Sequence, residues 1–183
     1  MTKGHGRVLI GLLAAALALT TAGLPPRPAG AGTAPRGDPL RVKMTVREVK
    51  IHQGNPVVVL QTVGARRLLP IWIGSSEAQA IQLRLAGART PRPLTHSLLE
   101  TILSQLNARV ERVEVEDLVD NVFIGKLTLL DAQGQRHQID GRPSDLITLA
   151  VGAKLPIHVA RHVLKRAGID NSPTKPKTGV TPI

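Results

Sequence analysis

The chain of 183 residues contains no cysteine, no tyrosine, one tryptophan and one phenylalanine. The absence of cysteine excludes disulfides, thiol nucleophiles, thiolate metal sites and thiol redox chemistry. Because Trp72 and Phe123 are the only aromatic residues, the sequence gives little material for a platform that stacks single-stranded bases. Any contact with nucleic acid is therefore expected mainly at phosphates and through shape.

Several short motifs with known chemistry are also missing. The sequence contains no G-x-x-x-x-G-K-[ST] phosphate-binding loop, no G-x-G-x-x-G dinucleotide fingerprint, no H-E-x-x-H and no G-x-S-x-G. The common nucleoside triphosphatases, dehydrogenases, zinc proteases and serine hydrolases are therefore not indicated. Function has to be inferred from less familiar groups of residues.

The longest uncharged apolar run, Val8–Leu19, has twelve residues and follows a basic start. It is shorter than the ~20 residues that a helix needs to cross a bilayer, but it fits the apolar region of a secretory signal. Small residues and prolines follow, with an Ala-x-Ala pattern at 29–31. We predict an export segment over 1–31, a linker over 32–39, and a periplasmic or secreted protein without stable membrane insertion. The alternative is an uncleaved N-terminal membrane anchor.

The predicted domain covers residues 40–168 and is basic. It contains 18 Lys and Arg against 11 Asp and Glu, a formal charge of +7 within the +11 of the whole chain. Such a charge favours polyanions such as nucleic acid, although a soluble basic protein without a polyanion site is the alternative explanation. Residues 169–183 carry three prolines and no apolar periodicity, so we predict a disordered tail there.

Hydrophobic periodicity predicts strands interleaved with helices. Strands are predicted at residues 41–51, 57–63, 67–73, 108–118, 121–131, 136–140 and 156–159. Helices are predicted from Ser75 or Ser76, as a hydroxyl cap, to near Gly87, from about Ser97 to Asn107, at 143–153 and at 160–168. The apolar positions of the first strand change phase between Val46 and Val49, which indicates a bulge. We therefore expect a single compact α+β domain with a mixed β-sheet and about four helices, preceded by the signal-like segment.

Two of these helices carry a specific expectation. The second has a capping-box pattern at Ser97 and Glu100, with Leu98, Ile102 and Leu106 at helical spacing, so we expect it to pack on the sheet. The third is apolar on nearly every side and is expected at the centre of the core.

Glu77 and His96 are candidate site residues because each lies at the start of a predicted helix. The helix dipole favours a carboxylate at Glu77, which is a sufficient structural explanation. Against it, Glu77 shares a helical stripe with Ile81 and Arg84, which brings the carboxylate near the buried side. His96 lies in the proline-rich loop, where it can act as an acid, base or metal ligand or can be an ordinary surface histidine.

Asp140, Arg142, Ser144 and Asp145 form the densest polar group. Arg142 offers a fork of donors suited to phosphate, and the helix that begins at Pro143 presents free backbone amides to an anion. Asp140 and Asp145 could hold a hard cation such as Mg2+. Alternatively, Asp145 caps its helix and pairs with Arg142, which is a structural motif without chemistry.

These segments resemble a known family. Leu-Pro-Ile-Trp-Ile-Gly at 69–74, Glu-Ala-Gln-Ala-Ile at 77–81, Arg-Pro-Leu-Thr-His at 92–96 and Arg-Pro-Ser-Asp at 142–145 occur in the order found in the bifunctional nuclease family. Members of that family are small domains that degrade RNA and DNA. The resemblance covers about residues 41–164 and implies a compact α+β fold with DNase and RNase activity.

Three positions depart from the family pattern. Ser97 follows His96 where the family has an aspartate, Gly141 replaces an alanine, and Ile124 follows Phe123 where an aromatic residue is common. An aspartate at position 97 could be a ligand, a base or only a helix cap. The departures leave these roles open for this chain.

We therefore predict a nuclease that hydrolyses phosphodiester bonds of RNA or DNA. The predicted catalytic residues are Glu77, His96, Asp140 and Asp145; Arg92, Arg142 and Ser144 are predicted to bind substrate; and Asp140 and Asp145 are predicted to bind Mg2+ or Mn2+. No organic cofactor is expected, and a second copy of the chain is a candidate partner. The alternative is a noncatalytic module of the same fold that binds a polyanion or an assembly partner.

Overall fold

One eight-stranded sheet organises the residues that the computed structural model describes, 40–88 and 90–171. The elements are β1 (Arg41–His52), β2 (Asn55–Thr62), β3 (Arg67–Trp72), α1 (Ser75–Leu85), α2 (Thr95–Gln105), β4 (Arg109–Val119), β5 (Val122–Leu130), β6 (Arg136–Gly141), α3 (Pro143–Gly152), β7 (Ile157–Ala160), α4 (Arg161–Ala167) and β8 (Ile169–Asp170). The strand order is β6-β5-β4-β7-β1-β2-β3-β8. The predicted α+β class with a mixed sheet and four helices is confirmed.

Tight hairpins and bulges set the register of the strands. Gln53 and Gly54 join β1 to β2 with φ of 49° and 80°, and Asp120 and Asn121 join β4 to β5 with φ of 48° and 63°. Positive φ at both central residues is the requirement of the type I′ turn, whose twist matches that of the strands. In β1 the register shifts between Val46 and Glu48, which confirms the bulge predicted from the change of phase.

β7 connects the two antiparallel parts of the sheet. It pairs antiparallel with β1 and parallel with β4. On the far edge, β8 pairs with β3 through Arg67 with Asp170 and Leu68 with Ile169. These backbone pairs hold Ile169 and Asp170, which are the first two residues of the predicted tail. Residues 172–183 and the predicted export segment and linker, 1–39, lie outside the described residues.

The third helix forms the centre of the core, as predicted. Leu146, Ile147, Leu149 and Ala150 of α3 are buried, and α3 contacts α1, α2, β4 and β5. The buried hydroxyl of Thr148 donates a 2.8 Å hydrogen bond to the Ser144 carbonyl, which satisfies it inside the core. Burying each large aliphatic side chain contributes roughly 1.5–3 kcal/mol.

Two glycines let the start of α3 lie directly on the sheet. Gly125 of β5 pairs with Gly141 of β6. A Cβ atom at residue 125 would lie 2.6 Å from the Gly141 carbonyl oxygen and 2.9 Å from Leu146 Cδ1, whereas real Cβ atoms need more than 3 Å. Glycine at this position therefore permits the close approach that places Arg142 and Asp145 at the edge of the core.

The second helix differs from its expected packing. Leu98, Ile102 and Leu106 are 51%, 46% and 66% exposed, and Leu103 is the buried residue of α2. The helix begins at Thr95 with Leu94 as its N-cap, and no side chain caps it. The capping-box prediction is wrong because Glu100 turns to Arg84 of α1, with 2.6 Å between Oε2 and Nη2, instead of back to Ser97. No helix within 40–88 or 90–171 is long and apolar enough to cross a membrane.

Candidate active site

Side chains at the starts of three helices meet at one point of the domain. Glu77 comes from the first turn of α1, His96 from the first turn of α2, and Arg142 and Asp145 from the N-cap and first turn of α3. We call these four residues the charged cluster. Helix N-termini carry partial positive charge, so their convergence favours anionic groups, first the two carboxylates and then a bound anion.

Arg142 lies between the two carboxylates of the cluster. Its Nε is 2.7 Å from Asp145 Oδ2, and its Nη2 is 3.1 Å from Asp145 Oδ1 and 3.0 Å from Glu77 Oε1. The hydrogen bond and charge of Asp145, and then the charge of Glu77, raise the pKa of Arg142. Even so, the Arg142 side chain is 67% exposed, so donors of its guanidinium remain accessible to a ligand.

Asp145 also connects Arg142 to His96. Its Oδ1 lies 3.2 Å from His96 Nε2. Burial alone would raise the pKa of Asp145, but hydrogen bonds from Arg142 and His96, together with their charge, hold that pKa below its ordinary value. A carboxylate only accepts hydrogen bonds, so His96 Nε2 must carry the hydrogen, and Nδ1 of the neutral ring holds the lone pair.

The structure corrects the sequence-based placement of His96 and agrees with that of Glu77. His96 lies inside the first turn of α2 rather than in a preceding loop, and its side chain is only 17% exposed. Glu77 is equally enclosed at 17%, and Ile81 one turn later is fully buried, as the helical stripe predicted.

Gly74 makes room for the Glu77 carboxylate. The N-cap of α1 is Gly74, not Ser75 or Ser76, and no side chain caps this helix. A Cβ atom at residue 74 would collide with Glu77 Oε2. Because φ of Gly74 is −74°, which any residue adopts, the requirement for glycine comes from the space that Glu77 occupies and not from the backbone.

Two open clefts of about 540 Å3 each share Glu77 and Arg142. The first, which we call the hairpin cleft, lies between the end of β3, the β4–β5 hairpin and the start of α3, and includes Trp72, Asn121 and Phe123. The second, the helix cleft, lies between α1, residues 93–96 and α3, and includes His96 and Asp145. The cluster therefore stands at the border of two spaces, each within the usual range for ligand sites.

The other predicted site residues lie around this cluster. Ser144 lines the hairpin cleft and is buried. Arg92 is exposed in the loop before α2, next to residues that line the helix cleft. Asp140 is exposed on β6 opposite Lys126, and it is not among the residues that line either cleft.

The arrangement of acidic residues and histidines bears on the metal prediction. Within residues 40–88 and 90–171, no group of three or more histidines, aspartates and glutamates is arranged to hold a metal ion. Asp140 and Asp145 as a metal-binding pair therefore stay a prediction.

Ser97 is partly buried in the first turn of α2, which contains no acidic residue, and its side chain does not cap that helix.

Sequence reasoning missed three residues of the site. Trp72 and Phe123, whose scarcity argued against an aromatic platform, both line the hairpin cleft, and Asn121 of the hairpin turn lines it with them. The position of Trp72 directly before Ile73 and Gly74, inside one of the resemblance motifs, was the available signal. Nothing in the sequence connects Phe123 or Asn121 with that motif.

Comparison with known proteins identifies the family of this chain. The model of the bifunctional nuclease domain family matches residues 58–172. An uncharacterized protein of Mycobacterium tuberculosis is 35% identical over 128 residues, which cover 70% of this chain and 76% of that protein. Bifunctional nuclease 1 and bifunctional nuclease 2 of Oryza sativa subsp. japonica are 25% and 26% identical over 133 and 126 residues.

The chain belongs to the bifunctional nuclease domain family, which confirms the resemblance seen in the sequence motifs. It covers 40% and 39% of the two rice proteins, so the match to them concerns one part of longer chains. The matched parts include 70% and 67% of this chain.

Proposed function

We propose that this chain is a nuclease that hydrolyses phosphodiester bonds of RNA or DNA at the charged cluster. The observation that carries the proposal is the hydrogen-bonded series Arg142–Asp145–His96 at the border of two clefts. Phosphodiester hydrolysis needs a group that moves a proton and a group that neutralises phosphate charge. The series contains one of each, held together by a single carboxylate.

In this proposal Asp145 positions His96. The hydrogen bond at Nε2 fixes the tautomer and the orientation of the ring. The lone pair on Nδ1 is therefore the one that accepts a proton from water. The same ring, once protonated, can give a proton to the leaving oxygen. Asp145 stays ionised in this arrangement because its pKa is held below the ordinary value.

Arg142 is the proposed phosphate-binding residue. In this structure the N–H groups of its guanidinium bind carboxylates. Because the side chain is largely exposed, its N–H groups can also donate hydrogen bonds to a phosphate oxygen. The backbone N–H groups at the start of α3 would stabilise a phosphate bound at the same place. Arg92 in the neighbouring loop and Ser144 in the hairpin cleft are proposed to contact the flanking backbone.

The charge of the cluster supports a requirement for a divalent cation. One arginine and two carboxylates sum to −1 with His96 neutral, so a phosphodiester approaching Glu77 and Asp145 is repelled. Glu77 and Asp145 are the carboxylates of the cluster that could bind such an ion, whereas Asp140, the other ligand predicted from the sequence, is not among the residues that line either cleft. Mg2+ or Mn2+ would supply charge neutralisation and a more acidic bound water.

The test compares cleavage of nucleic acid with binding of nucleic acid. The full chain is incubated with end-labelled RNA and DNA, with Mg2+ or Mn2+ and with a chelator, and both product formation and retention of substrate are measured. Product that requires the cation supports the proposal. Salt-sensitive binding without product after prolonged incubation would instead show the alternative predicted from the sequence, a noncatalytic polyanion-binding module. Self-assembly and export stay predictions.

A further inference from the structure

Both aromatic residues of the chain line the same cleft. Trp72 and Phe123 lie on different strands, and both are among the residues that line the hairpin cleft, as are Arg142 and Glu77. Phe123 is partly buried and packs against the main core, whereas Trp72 is 57% exposed. Leaving the largest apolar side chain of the chain half in water is unfavourable, and a ligand that covers it regains that free energy.

Trp72 is held firmly enough to act as a platform. Its backbone is paired with Val57 in the sheet. Its ring has a T-shaped contact with His52, with centroids 6.4 Å apart and planes at 74°. An indole with this support loses little freedom when a second flat group stacks on it, which favours binding of a planar aromatic ligand.

Two side-chain amides, of Asn121 and Asn55, also line this cleft. Asn121 is held in the hairpin turn at φ 63°, and Asn55 donates a 3.2 Å hydrogen bond to the Gln53 carbonyl, which orients its side chain. A side-chain amide has both donors and an acceptor, the groups that pair with the edge of a nucleobase. The hairpin cleft thus combines an exposed ring with orienting amides, next to a phosphate-binding arginine.

We propose that the hairpin cleft is a nucleobase subsite, in which Trp72 stacks on the base that flanks the phosphate held by Arg142. This inference rests on the proposed function of the charged cluster, because a phosphate at Arg142 places a neighbouring nucleoside at the mouth of the cleft. The ligand is single-stranded RNA or DNA, since a base paired inside a duplex does not present its face. The ring-stacking contact makes Trp72 a substrate-positioning residue that selects for unpaired nucleotides.

The single tryptophan gives a direct test. Fluorescence of the full chain is titrated, with chelator present to prevent cleavage, with a single-stranded oligonucleotide and with a strand of equal length built from abasic tetrahydrofuran units. Stacking quenches indole emission, so the oligonucleotide should quench it and the abasic strand should not. Equal responses to both strands would overturn the inference, because phosphate contacts alone would then explain binding.

Substitutions test base stacking on Trp72 without relying on fluorescence. Trp72→Ala should weaken binding of the base-bearing strand between about fivefold and a hundredfold, the range for loss of one stacked base, and should leave binding of the abasic strand unchanged. Trp72→Phe should restore most of the loss. Leu106→Ala, at another largely exposed apolar side chain, is the matched control and should change neither affinity. Unchanged base-dependent binding in Trp72→Ala would overturn the proposal.

Failure here is distinguishable from failure of the proposed function. Base-dependent quenching without any cleavage under Mg2+ or Mn2+ would support the subsite and contradict only the nuclease proposal. Cleavage that proceeds equally well in wild type and Trp72→Ala would support the nuclease and overturn the subsite.

Discussion

Arg142 binds Asp145 through both carboxylate oxygens, with Nε 2.7 Å from Oδ2 and Nη2 3.1 Å from Oδ1. The two residues are the N-cap and the third residue of one helix, so a single turn of backbone sets this pair. Because the Arg142 side chain is 67% exposed, water screens the pair and the pair contributes little to folding stability. Its main consequence is the position of the guanidinium between two clefts.

Arg142→Lys should separate phosphate binding from stability. Lysine keeps the charge but loses the planar fork, so we expect cleavage or nucleic-acid affinity to fall about tenfold or more, with little change in Tm. Arg136→Lys is a closely matched control, because Arg136 binds Glu111 by two bonds of 2.7 and 2.9 Å with a side chain that is 65% exposed. A destabilised Arg142→Lys variant with normal activity per folded molecule would show that the motif serves only the fold.

Asp145→Asn should impair proton transfer by His96. The amide cannot fix the imidazole tautomer as a carboxylate does, so we expect kcat to fall at least about tenfold and its pH dependence to change. Asp131→Asn breaks a comparable aspartate–histidine pair, in which His137 Nε2 lies 2.6 Å from Asp131 Oδ2, outside both clefts, and should leave kcat unaltered. If both variants lose activity equally, His96 is not oriented in the way proposed.

Gly74→Ala should act through Glu77 alone. The new methyl group displaces the flexible end of Glu77 from its place beside Arg142, so cleavage should decline while the free energy of unfolding changes by at most about 1 kcal/mol. The decisive comparison is a double-mutant cycle with Glu77→Gln. If the effects of the two substitutions simply add, Gly74 influences activity by some other route.

Acid should reduce the contribution of Asp145 to stability. Its pKa is lowered in the folded state, so the stabilisation is fully present above the unfolded value of about 3.9 and is lost as pH falls through the lower folded value. The difference in unfolding free energy between wild type and Asp145→Asn should therefore be constant from neutral pH to about pH 5 and shrink below it. Urea unfolding at a series of pH values measures this, and a difference that grows in acid would reverse the sign.

Local patterns predicted much of the sheet, because their signals lie within a few residues. The bulge near Val46, the hairpin at Asp120 and the buried third helix each followed from nearby spacing. The caps of α1 and α2 did not, and in α2 a long-range partner outcompetes the local one. Glu100 prefers Arg84, sixteen residues away, to the backbone of its own helix.

The charged cluster was predicted in its members but not in its geometry. His96 and Asp145 are 49 residues apart in the sequence. The hydrophobic periodicity of each helix does not predict that the starts of α2 and α3 lie close together. The paired Gly125 and Gly141 bring α3 close to the sheet, and that relation appears only once β5 and β6 are in register. The joint position of Trp72 and Phe123 in the hairpin cleft is likewise a product of the fold.

Phosphodiester cleavage by the His96→Ala, Asp145→Ala double variant tests the central claim most directly. The full chain and this variant are compared on the same labelled RNA and DNA in Mg2+ or Mn2+, after circular dichroism has shown that both are folded. We predict product from the wild type and at least about a hundredfold less from the variant, since removal of a general acid–base group costs that much. Undiminished cleavage by the folded variant would contradict the assignment of activity to the charged cluster.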